Sequence, residues 1–360
     1  MPNRSLTLAW LLAGLLLGTT AQAALQPPPG YFAAAPSASG KSRACAAAPR
    51  PYTGTLQFRS KYEGSDQARA TLNPKAEKAF HQQTAPITEL ERGVSRQVGA
   101  YLDKGDRQQL RCALDWLGQW AEAGALLSTD YSHTGKSMRK WALGSVASAY
   151  LRLKFSRSRP LAAYPQQAQL IETWLVKLAE QSVRDWSDLP PRQINNHSYW
   201  AAWAVMAAAV ASDRRDLFDW AIGRFRVAAS QVDADGYLAN ELKRKQRALA
   251  YHNYSLPPLA MVAAFAQANG VDLRPANGGA LQRLAERVLA GAEAPAAFTA
   301  RAGAKQDLSE LHKASKFAWL APYCSLYACS PATLARQRQL GPFNNFRLGG
   351  NVSQLFAAPG

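Results

Sequence analysis

His197-Ser198-Tyr199-Trp200-Ala201-Ala202-Trp203-Ala204-Val205-Met206-Ala207-Ala208-Ala209-Val210-Ala211-Ser212 is the stretch on which the fold turns. It carries no charged residue after His197 and is rich in alanine, so a helix here is apolar on every side. Only surrounding helices or sheets can bury such a surface. Its neighbours in sequence read as helices with one apolar face. Upstream lie residues 110–127, with Trp116 and Trp120 one turn apart, residues 138–155, stopped by Pro160, and residues 166–186, with Leu170, Trp174 and Leu178 on one side. Downstream lie residues 216–232, the turn Asp233-Ala234-Asp235-Gly236, and then residues 256–269 and 280–291. Few segments show the strict alternation of a strand. Short helices that alternate between more and less apolar are the pattern of concentric layers of antiparallel hairpins. An α/α toroid fits, as does a large helical bundle or a solenoid, and periodicity does not separate them.

The N-terminus reads differently. Arg4 precedes an apolar run over 6–18, and Ala21-Gln22-Ala23 has the small-x-small form of a cleavage site. The run is shorter than the roughly 20 residues needed to span a bilayer. Residues 1–23 are therefore expected to be an export signal and residues 24–360 a single domain, soluble outside the cytoplasm. Residues 24–60, rich in Pro, Ala, Gly and Ser, read as an extended arm. The four cysteines allow three disulfide pairings. The most economical joins Cys324 to Cys329 and Cys45 to Cys112, since the spacings match no zinc signature. There are 42 Lys and Arg against 25 Asp and Glu, a net charge of +17. That excess favours a polyanionic partner. Export makes nucleic acid the least suitable, and no membrane association is expected.

Three segments carry chemistry. In the first, Pro190 and Pro191 end the preceding helix, and Asn195 or Asn196 is a natural cap for the helix that starts near His197. The cap sets an amide and an imidazole at the positive end of a helix, where anions are favoured. Trp200 and Trp203, at i and i+3, could provide a floor for sugar rings. The second crowds Lys243, Arg244, Lys245 and Arg247 against Tyr251, His252 and Tyr254. Helical spacing would set Arg244 and Tyr251 on one face, about 10 Å apart. The third is Arg59-Ser60-Lys61-Tyr62-Glu63-Gly64-Ser65-Asp66. Ser132-His133-Thr134-Gly135-Lys136 reads as a loop able to touch substrate through His133 and Thr134.

These residue types suit elimination from a uronic acid polymer. The C6 carboxylate must be neutralised before the C5 proton can leave. A base must take that proton, and an acid must protonate the departing O4. Asn196 and Arg244 can do the first. Tyr251 can move the proton if nearby cations, Arg244 foremost, pull its pKa below the ordinary value of about 10. In mannuronate, H5 and O4 lie on the same side of the ring, so one tyrosine could serve both. His197 would stabilise the intermediate or act as a base from the opposite face.

The runs Asn196-His197-Ser198-Tyr199-Trp200 and Tyr251-His252-Asn253-Tyr254 and the spacing from Arg244 to Tyr251 resemble the periplasmic alginate lyases of polysaccharide lyase family five. So do 61–66 and Asn344-Asn345-Phe346-Arg347. The resemblance implies an all-α, incomplete α/α toroid with a lid near 61–85 and a deep cleft. It implies cleavage of β-D-mannuronate polymers to oligosaccharides with a 4,5-unsaturated end, clearing alginate from the periplasm without a metal. It casts Asn196 and Arg244 as carboxylate neutralisers, Tyr251 as acid and base, and His197 as its partner. Lys61 and Tyr62 become lid contacts and Arg347 a further cation, with Trp200, His252 and Tyr254 at the substrate. No cofactor is expected. The expected partners are alginate and the alginate export machinery, and the expected state is a monomer. Two alternatives remain: a lyase for another acidic glycan, and a non-catalytic protein that binds or exports anionic polysaccharide.

Overall fold

The computed structural model describes residues 23–38 and 41–357, so the expected export signal lies almost wholly outside the described residues. Local chemistry sets the helix ends. Asn73 accepts from the N–H groups of Lys75 and Ala76 and opens α1 (Pro74–Lys104), whose first residue is a proline that needs no donor. Gly105 closes α1 in the left-handed region, at φ 69°. Asp106 caps α2 (Arg107–Glu122) and Ser132 caps α3 (His133–Phe155). α4 (Pro165–Trp186) follows, and Asn195 caps α5 (Asn196–Ser212). Then come α6 (Arg215–Ser230), the single turn α7 (Ala239–Leu242), α8 (Ala248–Ala268) and α9 (Ala280–Glu293). The C-terminal part holds α10 (Ala296–Ala302), α11 (Leu320–Leu326) and α12 (Pro331–Leu340). It ends with strands β1 (Asn344–Asn345) and β2 (Gly350–Asn351) and helix α13 (Val352–Leu355).

The helices form two layers. α1, α3, α5 and α8 pack side by side, and α2, α4, α6 and α9 pack outside them, each against the inner helix of its own hairpin. α5 touches α3, α4, α6 and α8, which buries the apolar surface that its sequence presents on all sides. The ring is incomplete. The turn Phe346–Leu348 packs on α1, α3 and α8 and spans the gap between its two ends. This is the incomplete α/α toroid of the sequence reading.

The arm is strapped down rather than loose. Leu25 donates to Asp213, Tyr31 packs edge-on against Phe265, and Cys45 is bonded to Cys112. That disulfide spans 67 residues, and its loop-closure entropy corresponds to about 4 kcal/mol. Cys324–Cys329 spans 5 and contributes about 2 kcal/mol by the same reasoning.

Three boundaries differ from the sequence reading. The lid expected near 61–85 is a run of turns only up to residue 73; the rest is the start of α1, which Asn73-Pro74 initiates. Ser132 to Lys136 is not a loop but the cap and first turn of α3. α8 begins at Ala248, not near residue 256, and carries Pro257 and Pro258 inside it. Pro258 has no N–H for the Tyr254 carbonyl, and the Trp200 indole N–H donates to that carbonyl instead, at 3.1 Å. Trp200 is therefore a structural brace, 3% exposed, and Trp203 is fully buried with its indole N–H donating to the Arg347 carbonyl, so neither is a floor for a sugar ring.

Candidate active site

The open side of the toroid holds a cleft with a cavity of about 360 Å³. That size lies within the roughly 300–1,000 Å³ usual for ligand sites. Seven Lys and Arg side chains line it, from Lys61 and Arg69 on the lid turns to Arg347 on the bridging turn. A single carboxylate, Glu310, faces them. Glu310 is itself paired with Lys313 and Lys316, and although burial works against ionisation these two lysines bring its pKa down to about 2. A concave surface with that balance concentrates field lines on an anionic ligand.

At the lid end sits a cluster of two phenols and two guanidiniums. Arg244 Nη2 donates to Tyr251 Oη at 2.7 Å, and its Cζ lies 3.9 Å from the centre of the Tyr251 ring. Arg247 Nη1 donates to Tyr62 Oη at 2.9 Å, and the two hydroxyls, 2.9 Å apart, share a hydrogen bond. The same Arg244 nitrogen donates to the Arg69 carbonyl, so the lid turns are tied to α8 through the arginine that holds Tyr251. Arg244 is not on a helix two turns from Tyr251. It lies in the turn before α8, which folds its guanidinium directly onto the phenol. The electrostatics also correct the sequence reading. Burial raises the Tyr251 pKa above the ordinary phenol value. Arg244 opposes the rise, Tyr62 adds to it, and burial wins, so Tyr251 rests as a neutral phenol.

At the opposite wall, α5 presents Asn196 and His197. The Asn196 backbone N–H and Nδ2 both donate to Glu241 Oε1, at 2.7 and 2.9 Å, which holds the amide at the helix start. Its Oδ1 has no partner among the described residues. His197 stacks parallel on Trp186, at 5.9 Å and 4°, with His133 and Trp141 against its other sides. Its Nδ1 lies 3.1 Å from both Ser137 Oγ and Lys140 Nζ. Burial, with Lys140 beside it, holds the His197 pKa well below the usual imidazole range. Burial and the same lysine bring His133 down to about 4. Both are neutral at neutral pH. Tyr254 reaches the cleft, where Arg347 donates to its hydroxyl at 3.3 Å, and Arg347 is backed by the buried Glu91. Thr134 also lines the cleft.

The cleft thus brings together Asn196, His197, Arg244, Tyr251, Lys61, Tyr62, His133, Thr134, Tyr254 and Arg347. It excludes Trp200 and His252. His252 is fully buried: Nε2 accepts from Leu238 N–H at 2.8 Å and Nδ1–H donates to the Ala248 carbonyl at 2.8 Å. It joins α8 to the segment before α7 and has no nitrogen left for a sugar. Burial brings its pKa down to about 4 from an unfolded value near 6.5. The unfolded chain therefore binds a proton that the folded one refuses between those values, and stability falls as pH falls through that window. The expected loss from this residue between pH 7 and pH 5 is about 2 kcal/mol. Urea unfolding at the two pH values checks it: His252→Gln should be less stable at pH 7 but flatter with pH, and an unchanged slope refutes the assignment.

Several residues lining the cleft or buried behind it were not given roles in the sequence. Ser137, Lys140 and Trp141 recur at i, i+3 and i+4 on α3, a polar set within an otherwise buried helix. That anomaly was the available signal. Arg247 stood in the basic run before Tyr251 but without a role of its own, and Glu241 and Arg69 gave no signal, because these roles depend on how α7 and the lid turns fold back.

A helical toroid with this basic, tyrosine- and histidine-bearing cleft has the chemistry of a protein that handles an anionic polysaccharide. The family model described as "Alginate lyase" matches residues 57–298, and the chain belongs to the alginate lyase family. It is 62% identical to an alginate lyase of Azotobacter vinelandii, over 99% of this chain and 96% of that protein. To one of Pseudomonas putida it is 64% identical, over 96% and 95%. Among solved structures, alginate lyase A1-III from Sphingomonas species A1 superposes with a TM-score of 0.72 at 23% identity, covering 93% and 92% of the two chains. A variant of A1-III complexed with tetrasaccharide gives 0.74 at 23%, covering 90% and 89%.

Proposed function

We propose that this chain is an exported, mannuronate-preferring alginate lyase that acts by β-elimination. The observation that carries the reading is the Arg244–Tyr251 contact of 2.7 Å in a cleft that also presents Asn196 and His197. A uronate carboxylate bridging Arg244 and the α5 terminus has its C5 acidified by charge and hydrogen bonding on the enolate-like state. Tyr251, at rest a neutral phenol, first gives its proton to water, with Arg244 stabilising the phenolate; the phenolate then takes H5 and returns that proton to O4 as the C4–O4 bond breaks. H5 and O4 are syn in mannuronate, so one hydroxyl can reach both. The names of the relatives support alginate as substrate. The leader-like residues 1–23 support export, and clearance of polymer from the periplasm is the role we assign.

The test is incubation of the pure protein with polymannuronate, polyguluronate and another polyuronate, following the ultraviolet absorbance of the new C4–C5 double bond. Fast appearance with polymannuronate is expected. A response only with another uronate overturns the substrate, and binding without any response overturns the activity. Lys61 lies on the lid turn, its ammonium 5.3 Å from the Tyr62 ring. It lines the cleft and has no hydrogen bond to Tyr251, Arg244 or Asn196 among the described residues, which suits it to capturing substrate. Lys61→Ala should raise KM about tenfold, corresponding to about 1.4 kcal/mol, with kcat little changed. A fall in kcat at constant KM would show that Lys61 acts in the transition state instead.

A further inference from the structure

We propose that Lys140 is a positioning residue that fixes the tautomer of His197, so that His197 meets the substrate as a hydrogen-bond donor and not as a base. This rests on the lyase reading above, but its first test does not depend on activity. Lys140 is fully buried on α3 and forms no salt bridge among the described residues. Its Nζ lies 3.1 Å from His197 Nδ1, 4.1 Å from the centre of the Trp141 ring and 4.6 Å from that of Trp186. Three N–H bonds therefore have three acceptors: one nitrogen lone pair and two indole faces.

The donor pattern decides the tautomer. An ammonium can only donate, whereas a neutral amine could also accept; burial lowers the Lys140 pKa, but the indole faces of Trp141 and Trp186, 4.1 and 4.6 Å away, favour the ammonium by cation–π attraction. Ser137, the other neighbour of Nδ1, does not decide the matter, because its single O–H can point either to the His133 carbonyl at 2.8 Å or to Nδ1 at 3.1 Å, leaving its oxygen acceptor or donor toward the ring. Nδ1 must then offer its lone pair to Lys140. Neutral imidazole carries one proton, so that proton is on Nε2. Nε2 has no protein partner among the described residues, and the ring lines the cleft. What His197 shows a uronate is thus an N–H, suited to its carboxylate. That leaves Tyr251 as the group that removes H5.

Nitrogen-15 NMR of the imidazoles in the whole protein tests this directly, with His197 assigned by difference from His197→Gln. At pH 7 the His197 signals should be those of the Nε2–H tautomer, with Nδ1 unprotonated. A protonated Nδ1 in the wild-type protein overturns the proposal whether or not the protein is a lyase. Lys140→Met keeps the length and removes the donor. In a variant that retains the wild-type circular dichroism, Nδ1–H should appear and kcat should fall about tenfold to a hundredfold with KM changed far less. Lys140→Gln, which retains an N–H, should recover part of the loss. An unchanged tautomer in Lys140→Met also overturns the proposal. If instead the tautomer is as stated and no polyuronate is cleaved, the lyase reading fails and the lysine's role stands.

Discussion

Tyr251→Phe is expected to lower turnover at least about a thousandfold while polymannuronate oligosaccharide still binds within a few fold of wild type. General acid–base catalysis by one group contributes roughly 10²–10⁴. Here a single hydroxyl is asked both to take H5 and to give a proton to O4, which sets the effect toward the upper end. The substitution removes only Oη. The ring that packs against the Arg244 guanidinium remains, so the wall of the cleft is retained. The hydrogen bonds lost are those from Arg244 and with Tyr62, both of which sit at the cleft surface where other partners are available. Pre-steady-state turnover together with calorimetric binding checks both halves. Wild-type turnover would remove Tyr251 from the chemistry, and lost binding would make it a substrate contact first.

Arg244→Ala should cost about a hundredfold to a thousandfold in kcat/KM, the usual penalty for removing a donor aimed at developing negative charge. It should also move the pH profile. Burial raises the Tyr251 pKa and Arg244 is the largest influence that lowers it. In the proposed mechanism the phenolate takes H5, so kcat/KM should rise with pH on the alkaline side. Removing Arg244 lets the Tyr251 pKa climb further, so the limb should shift to higher pH. Arg244→Lys should rescue little, because an ammonium does not reproduce a planar guanidinium that lies on the ring and bonds its hydroxyl at once. A profile superposable on wild type after scaling would mean that Arg244 does not tune Tyr251. His197 and His133 are held neutral far below pH 7, so neither should add an inflection near 6.5.

How far the sequence reached can be judged from α5 and α8. The charge-free face of α5 required burial on every side, and its capping asparagine was visible beside it, so this half of the fold and of the site was legible. The half-buried helices of the outer layer were legible through their single apolar faces. α8 was not, because Pro257 and Pro258 read as a helix start until tertiary packing supplies Trp200 to the carbonyl that proline leaves unbonded. His252 looked like part of the site because it adjoins Tyr251. Successive residues on a helix point about 100° apart, and that turned one ring into the cleft and the other into the core. The sign of the Tyr251 shift was misjudged for a related reason. Counting nearby cations omits desolvation, which only the folded wall supplies. Lys140 was hidden in a helix that reads as core, yet its polar spacing with Ser137 and Trp141 was there to be noticed.

Catalysis in this account occurs on one uronate ring, held between the α5 terminus and the arginine–tyrosine pair of α8. The crystal structure of Tyr251→Phe with a bound mannuronate tetrasaccharide tests that most directly. One sugar carboxylate should lie within hydrogen-bonding distance of Asn196, His197 Nε2 and Arg244, with its C5–H directed at the position of the missing Tyr251 hydroxyl. A tetrasaccharide lying along the cleft with every carboxylate away from Asn196 and Arg244, or with C5–H facing the His197 wall, would contradict it.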